Sequence, residues 1–155
     1  MNDTSKLRAR IHDSAIERVT RMFAATLSDI FSETLQNARR AGATRVRVQL
    51  REIGEDSPPA IVVSDDGAGI ADPAVLLSFG ENGWSEDLVR REDAAGMGFL
   101  SLARRGCAVS SRPRARHTHP VPGWRVELAP EHFLGEAEAA VDADDAAPFP
   151  HGTAV

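Results

Sequence analysis

Glu33 and Asn37 pair an acid with an amide, four residues apart, in the stretch FSETLQNARRAGA. On an α-helix such positions share one face, about 6 Å apart along the axis. An amide oxygen is a hard neutral ligand that suits Mg²⁺. A carboxylate one turn away could orient or deprotonate water beside that metal. The alternative is a surface pair, in which Glu33 faces solvent near Arg39 or Arg40 and Asn37 is a polar surface residue.

A second candidate is SDDGAGI, Ser64 to Ile70, directly after the apolar segment AIVV. Asp and Gly are common in ordinary turns, which is one interpretation. However, acids at the end of an apolar strand lie near the interior, where an unpaired carboxylate is costly. The amino group of adenine is a donor that would satisfy one. Gly67 and Gly69 would then let the backbone pass close to a flat base.

The third candidate is GMGFLSL, Gly96 to Leu102, in which glycines precede an apolar helical pattern. One interpretation is a flexible helix start. The functional interpretation is that free backbone N–H groups and the positive end of a helix bind phosphate. It is not a P-loop, because no Gly-Lys-Ser/Thr follows. It also lacks the directly preceding strand of a Rossmann fingerprint.

Composition predicts a single globular domain spanning 1–155. The chain is 42% hydrophobic and 26% charged, and 155 residues are enough to bury one core. The net charge of −5 gives no broad basic field for nucleic acid. Lys6 is the one lysine, so no other lysine is present to bind phosphate. A local basic run is interpreted as a solvated edge; it contains Arg104, Arg105, Arg112, Arg114 and Arg116.

Cysteine content and hydropathy indicate the compartment. The lone Cys107 excludes an internal disulfide and a cysteine-built metal site, and fits a reducing environment. There is no signal-like segment and no apolar run approaching ~18 residues. We therefore expect a cytoplasmic protein that does not enter a membrane.

The hydropathy pattern predicts alternating strands and helices. A helical pattern runs from Asp13 to Gly42, with a break between Ala24 and Ser28. Short helices are predicted over 72–79 and in GMGFLSLARRG, and PEHFLGEAEAA is helical or partly ordered. The polar segment from Gly80 to Ala95 is interpreted as a loop or lid, GEDSPP as a turn and VDADDAAPFP as a connector. The predicted strands are KLRARI, TRVRVQL with one wet face, a buried AIVVSD, CAVSSR, GWRVEL and HGTAV.

The order of these motifs resembles the GHKL superfamily, which contains gyrase, heat-shock chaperones, histidine kinases and mismatch-repair MutL. ETLQNARRAGATRVRV is similar to the first box of that superfamily, especially in its MutL-like branch. DDGAGI is similar to the second box, GMGFLSL to the third and HGTAV to the Gly-Thr turn that enters the last core strand. The resemblance implies the Bergerat fold. This is an α+β, two-layer sandwich with a mixed, mostly antiparallel sheet, helices on one face and a mobile lid over ATP.

The resemblance also implies a role for each matching residue. Glu33 would be the base that activates water, and Asn37 would be the Mg²⁺ ligand. Asp65 would accept a hydrogen bond from the adenine amino group, whereas Asp66 falls at a variable position. Three further groups would line the site. The residues beside the base would be Ala41, Ile70 and Thr153, and those that shape the pocket would be Gly67 and Gly69. The phosphates would meet the backbone of Gly96, Met97, Gly98 and Phe99.

The implied function is Mg²⁺-dependent binding and slow hydrolysis of ATP by a nucleotide-driven conformational switch. Two alternatives stay open: a histidine-kinase-type phosphotransferase domain and a nucleotide-binding module that does not hydrolyse. Kinase domains of that type usually have Asn where Glu33 stands, which favours the ATPase. The resemblance also implies that the last strand continues beyond Val155. The expected partners are ATP and ADP, further domains or a second subunit, and nucleic acid only through the full-length protein.

Overall fold

The structure of the chain, a computed structural model, describes residues 26–52, 59–78, 98–115, 121–144 and 150–155. Several predicted features lie outside these residues. They are the strand KLRARI, the turn GEDSPP, the lid segment 80–95, and the positions Gly96, Met97 and Arg116.

Helix α1 spans Leu27–Arg40 and carries both Glu33 and Asn37. It begins inside the interval where a break was predicted. Thr26 caps it, because the Thr26 hydroxyl accepts from the Asp29 N–H at 3.2 Å and Asp29 Oδ2 accepts from the Thr26 N–H at 2.8 Å. The helix ends as predicted at Gly42, whose φ of 69° is in the left-handed region that favours glycine.

Six strands form one sheet in the order β1-β2-β6-β3-β4-β5. The expected mixed sheet is wrong for the described strands, because every described pairing is antiparallel. The last strand of the chain lies at the centre, between two strands that are distant in sequence. The strands are β1 Val46–Arg51, β2 Ala60–Asp65, β3 Cys107–Arg112, β4 Trp124–Leu128, β5 Val141–Ala143 and β6 Gly152–Ala154.

The register aligns two predicted site residues, Asp65 and Thr153, with Ser111 and Trp124 across the middle of the sheet. Asp65 pairs with Thr153, Thr153 with Ser111, and Ser111 with Trp124. Because directly opposed residues in an antiparallel pair point to the same face, these four side chains share one face. In β1 the alternate positions, on the other face, are occupied by Arg47, Gln49 and Arg51.

The buried core lies on the same face, over β3 and β4. Val109 and Phe133 are completely buried, and the Phe133 ring lies 5.8 Å from the ring of Phe99, centroid to centroid. The remaining core residues are Leu100, Leu102, Ala103, Trp124, Val126 and Leu128. This core anchors the Gly98–Leu102 segment beside α1.

Strand β1 corrects one prediction. The strand exists, but all six of its residues are exposed, so the expected buried face is wrong. Leu50 is 72% exposed and Val48 is 53% exposed. The physical reason is its position: β1 lies at the edge of the described sheet, whereas the described core packs over β3 and β4. Likewise β2 is buried only at Val63 and Ser64.

The short elements differ in detail from the prediction. The segment 72–79 forms a 3₁₀ helix, Pro73–Leu77, and GMGFLSLARRG contributes a second 3₁₀ helix, Gly98–Leu102, rather than an α-helix. Helix α2 is a short helix, Pro130–Leu134. The connector VDADDAAPFP contains β5, which was missed because backbone pairing with β4, and not a hydropathy pattern, forms it. No helix among the described residues is long and apolar enough to cross a membrane.

Candidate functional site

The end of α1 and the end of β2 meet at Ala41 and Gly67. A Cβ placed on Gly67 would lie 2.7 Å from the Ala41 Cβ and 2.7 Å from Asp65 Oδ1, so only glycine fits there. The Ala68 N–H donates to the Ala41 carbonyl at 2.9 Å, and the Gly67 N–H donates to Asp65 Oδ1 at 2.7 Å. Ala41, Asp65 and Gly67, which belong to the first two motifs and were predicted to line one pocket, are therefore in contact.

The charged form of the Asp65 carboxyl is destabilised in this position. Burial raises the pKa of the Asp65 carboxyl, although the Gly67 and Thr153 N–H groups and the charge of His151 act to lower it; the neighbouring Asp66 adds to the increase. A carboxylate with a raised pKa is stabilised by any further hydrogen-bond donor that approaches it. Asp65 is thus an acceptor that favours a donor on its ligand.

The Asp66 carboxylate, unlike that of Asp65, accepts hydrogen bonds from the turn between α1 and β1. Its Oδ1 accepts from the N–H groups of Thr44 and Arg45 at 2.7 and 2.8 Å, and its Oδ2 accepts from the Thr44 hydroxyl at 2.8 Å. The Arg45 N–H and then the Thr44 hydroxyl lower the pKa of Asp66 to about 2. The Asp66 carboxylate therefore ties the end of β2 to the turn between α1 and β1.

Ser111 and Trp124, which sequence reasoning missed, hold the loop after β2. The Ile70 N–H donates to Ser111 Oγ at 2.8 Å, and Trp124 Nε1 donates to the Ile70 carbonyl at 2.8 Å. Ser111 Oγ also donates to the Gly152 carbonyl at 3.0 Å and lies 3.1 Å from Thr153 Oγ1. One signal for Ser111 was available, since a hydroxyl in an otherwise apolar strand needs a buried partner.

Glu33 lies against the second 3₁₀ helix. A Cβ on Gly98 would overlap the carboxylate of Glu33, so the first and third motifs are in direct contact. Arg40 Nη1 lies 3.6 Å from Glu33 Oε1 and donates to Asn37 Oδ1 at 3.3 Å. The Arg40 contact is the one that the surface-pair alternative predicts. The Glu33 side chain is nevertheless 71% buried, since 29% of it is exposed.

The predicted site residues thus form two clusters joined by α1. Ala41, Asp65, Gly67, Ile70 and Thr153 belong to the first, and Glu33 and Gly98 to the second, with Asn37 between them on the helix. Gly69 has a φ of 69° and packs on the Arg112 carbonyl. Phe99 directs its ring into the core. Within the described ranges, no three His, Cys, Asp or Glu side chains converge as a metal-binding group.

Comparison with known proteins defines the class of fold. No family model matches the chain, and no curated protein matches it. A solved structure, the crystal structure of the N-terminal domain of a DNA repair protein, is similar with a TM-score of 0.52 and 19% identity. The match covers 94% of this chain and 40% of that one, so this chain spans less than half the length of the DNA repair protein chain. The chain therefore has an α+β fold like that N-terminal domain.

Proposed function

We propose that this chain is a GHKL-type domain with a Bergerat fold that binds ATP with Mg²⁺ and hydrolyses it slowly as a conformational switch. One observation carries the proposal. Three motifs that are separated in sequence meet along α1, with Ala41 on Gly67 at one end and Glu33 on Gly98 nearer its middle. The similarity to an N-terminal domain of a DNA repair protein supports the fold on which the proposal depends.

The adenine half of the proposal rests on the first cluster. Asp65 would accept from the adenine amino group, which would lower its raised pKa back toward the ordinary value. Gly67 and Gly69 leave the wall of the pocket without side chains. Thr153, next to Asp65 in the register, would lie beside the base. Ser111 and Trp124 would hold Ile70 at the edge of the pocket.

The phosphate half rests on the second cluster. Backbone N–H groups at the Gly98 segment would bind phosphate oxygens, since glycine leaves its backbone accessible. Asn37, through its amide oxygen, would hold Mg²⁺. The metal would supply positive charge to the phosphate oxygens and a fixed place for water. Glu33 would orient that water and take its proton, because its carboxylate is held on the same helix face.

One contact favours a second candidate, a nucleotide-binding module that does not hydrolyse. Arg40 is within ion-pair distance of Glu33 and hydrogen-bonds Asn37, so its guanidinium competes with both proposed roles. The two candidates differ in whether Arg40 moves away when nucleotide and metal bind. Hydrolysis would require that it does.

Calorimetric titration with ATP tests the proposal, in Mg²⁺ and again in excess chelator. We expect saturable binding of one ATP per chain that is stronger in Mg²⁺. GTP has a carbonyl oxygen where adenine has its amino group. GTP should therefore bind at least about tenfold more weakly than ATP, because the buried Asp65 would be left unpaired. Equal affinity for ATP and GTP, or no binding of either, would remove the basis for an adenine site.

A further inference from the structure

A cavity of about 740 Å³ lies on the other side of the loop that follows β2. Its walls come from the end of β3, the segment before β4 and the segment before β6. Two arginines and a histidine contribute charge, and three prolines form much of the rest. These charged and proline residues of the cavity wall are Arg112, Arg114, His151, Pro113, Pro122 and Pro150.

The charge of the cavity wall is one-sided. Arg112 and Arg114 line the cavity, and no Asp or Glu is among the described residues that line it. The chain as a whole has a net charge of −5, so this is a local reversal of sign. The basic run was predicted to be a solvated edge. That holds for Arg104, Arg105 and Arg114, which are exposed, whereas Arg112 is half-buried; Arg112 and Arg114 also line the cavity.

The donors favour an anionic ligand, of which phosphate is one, over a neutral ligand. A guanidinium presents five N–H donors in a planar fork that matches phosphate oxygens. Arg114 uses one of them in a long contact of 3.5 Å to the Asp66 carbonyl. A volume of 740 Å³ is typical of a small-molecule pocket, and the proline walls suit a flat or apolar body beside the phosphate.

We propose that this cavity is a second ligand site, separate from the nucleotide site, which binds a phosphate ester through Arg112, Arg114 and His151. The ester can be a free phosphorylated small molecule or a phosphodiester unit of a nucleic acid. Both present the same anionic group to the same donors.

The cavity and the proposed nucleotide site share one stretch of backbone. The Arg114 N–H donates to the Ala68 carbonyl at 2.8 Å, and His151 Nδ1 lies 2.8 Å from the Gly67 carbonyl. A carbonyl only accepts, so the proton of that bond is on Nδ1. A phosphate bound to Arg114 and His151 therefore acts on the residues that follow Asp65. Binding at the two sites should be coupled, and this part alone rests on the proposed function.

Anion binding is tested without nucleotide, by titrating pyrophosphate and a labelled oligothymidine of about eight nucleotides, a length within the usual range for single-strand sites. Thymidine lacks the adenine amino group, so it does not report on Asp65. We expect Arg114→Gln to weaken binding about tenfold or more, which corresponds to the loss of a charge-assisted pair. Arg104→Gln is the matched control, because Arg104 is exposed and does not line the cavity.

The probes distinguish the sources. Binding of both probes supports a phosphodiester ligand, and binding of pyrophosphate alone supports a free phosphate ester. His151→Gln, a second variant, should weaken the same probes. Asp65→Asn should still bind the probes, which separates this site from the nucleotide site. Failure of the parent to bind either probe, or equal losses in Arg104→Gln and Arg114→Gln, would overturn the proposal.

Coupling is tested by measuring ATP affinity with and without the saturating probe. A change in ATP affinity must be matched by an equal change in probe affinity when ATP is present, because linkage is reciprocal. Arg114→Gln should remove both changes. If the parent binds the probe but not ATP, the second site stands and the proposed function fails. Unchanged ATP affinity would show that the two sites are independent and contradict the coupling.

Discussion

The carboxylate of Glu33 packs against Gly98 so closely that a methyl group at position 98 would displace it. The two residues are 65 positions apart, and each belongs to a different motif. The contact fixes the distance between the proposed water-activating acid and the proposed phosphate-binding backbone. It is also the feature of the site that a single methyl group can test.

Gly98→Ala should lower the free energy of unfolding by about 1 kcal/mol, because the added methyl pushes the Glu33 carboxylate, the flexible end of its side chain, out of its position. In a Glu33→Ala background the same change should cost much less, since the overlapping group is gone. Urea unfolding of the four proteins in this double-mutant cycle measures the difference. An equal cost in both backgrounds would mean that Gly98 is required for another reason.

Asp65→Ala should weaken ATP and ADP alike by about 10- to 100-fold, because the adenine amino group loses its acceptor. Asp66→Ala is the neighbouring control. It should change nucleotide affinity less, because the Asp66 carboxylate is already bonded to Thr44 and Arg45. Calorimetry on both variants gives the order, and the reverse order would transfer the adenine contact to Asp66.

Asp66 should make stability depend on pH in the acid range. Its pKa is lowered from 3.8 to about 2 on folding, so its contribution is present above about pH 4 and is lost as the pH falls toward about 2. Asp66→Asn should therefore be less stable than the parent at pH 7, and the gap should narrow on acidification. Asp142→Asn, at an exposed position on β5, is the control and should leave the acid dependence intact. A constant gap at every pH would contradict this account of Asp66.

Ser111→Ala should reduce stability by about 1 to 3 kcal/mol, because it leaves the Ile70 N–H without its acceptor in a buried region. Ser110→Ala is the matched control on the same strand, where Ser110 Oγ makes one long contact of 3.4 Å to Arg125. Denaturant unfolding compares the two. The loss at Ser111 should also weaken ATP binding, since Ile70 borders the proposed pocket. Equal effects of the two substitutions would show that the Ser111 network is unimportant.

Local patterns were sufficient to predict several elements. Gly42 at the end of α1 and the strands β3 and β4 follow from nearby residues, so they were predicted without the rest of the chain, whereas the cap at Thr26 was not predicted. The contact of Glu33 with Gly98 was expected only from the resemblance, because no local pattern sets a distance between residues so far apart. Trp124 was predicted only as part of the strand GWRVEL. Its second role, donation to Ile70, depends on a register that is formed only in the folded sheet.

Other features depended on long-range packing and could not be predicted. Val46, Val48 and Leu50 alternate as a half-buried strand does, yet they are exposed because the described core covers β3 and β4 instead. Strand β5 is only three residues long, too short for a hydropathy pattern to predict it, and it forms by pairing with β4. The ion pair of Arg40 with Glu33 was anticipated as a surface pair, but its burial was not.

The most direct test of the central claim is to measure ATP affinity and steady-state hydrolysis for the parent, Glu33→Ala and Asn37→Ala. A positioned general base contributes about 10² to 10⁴ to the rate and need not contribute to ground-state affinity, so Glu33→Ala should bind ATP nearly normally and lose turnover. Asn37→Ala should lose the Mg²⁺ dependence of ATP binding. An active parent whose Glu33→Ala variant hydrolyses ATP at the parent rate would contradict the account, because Glu33 would then be only the partner of Arg40.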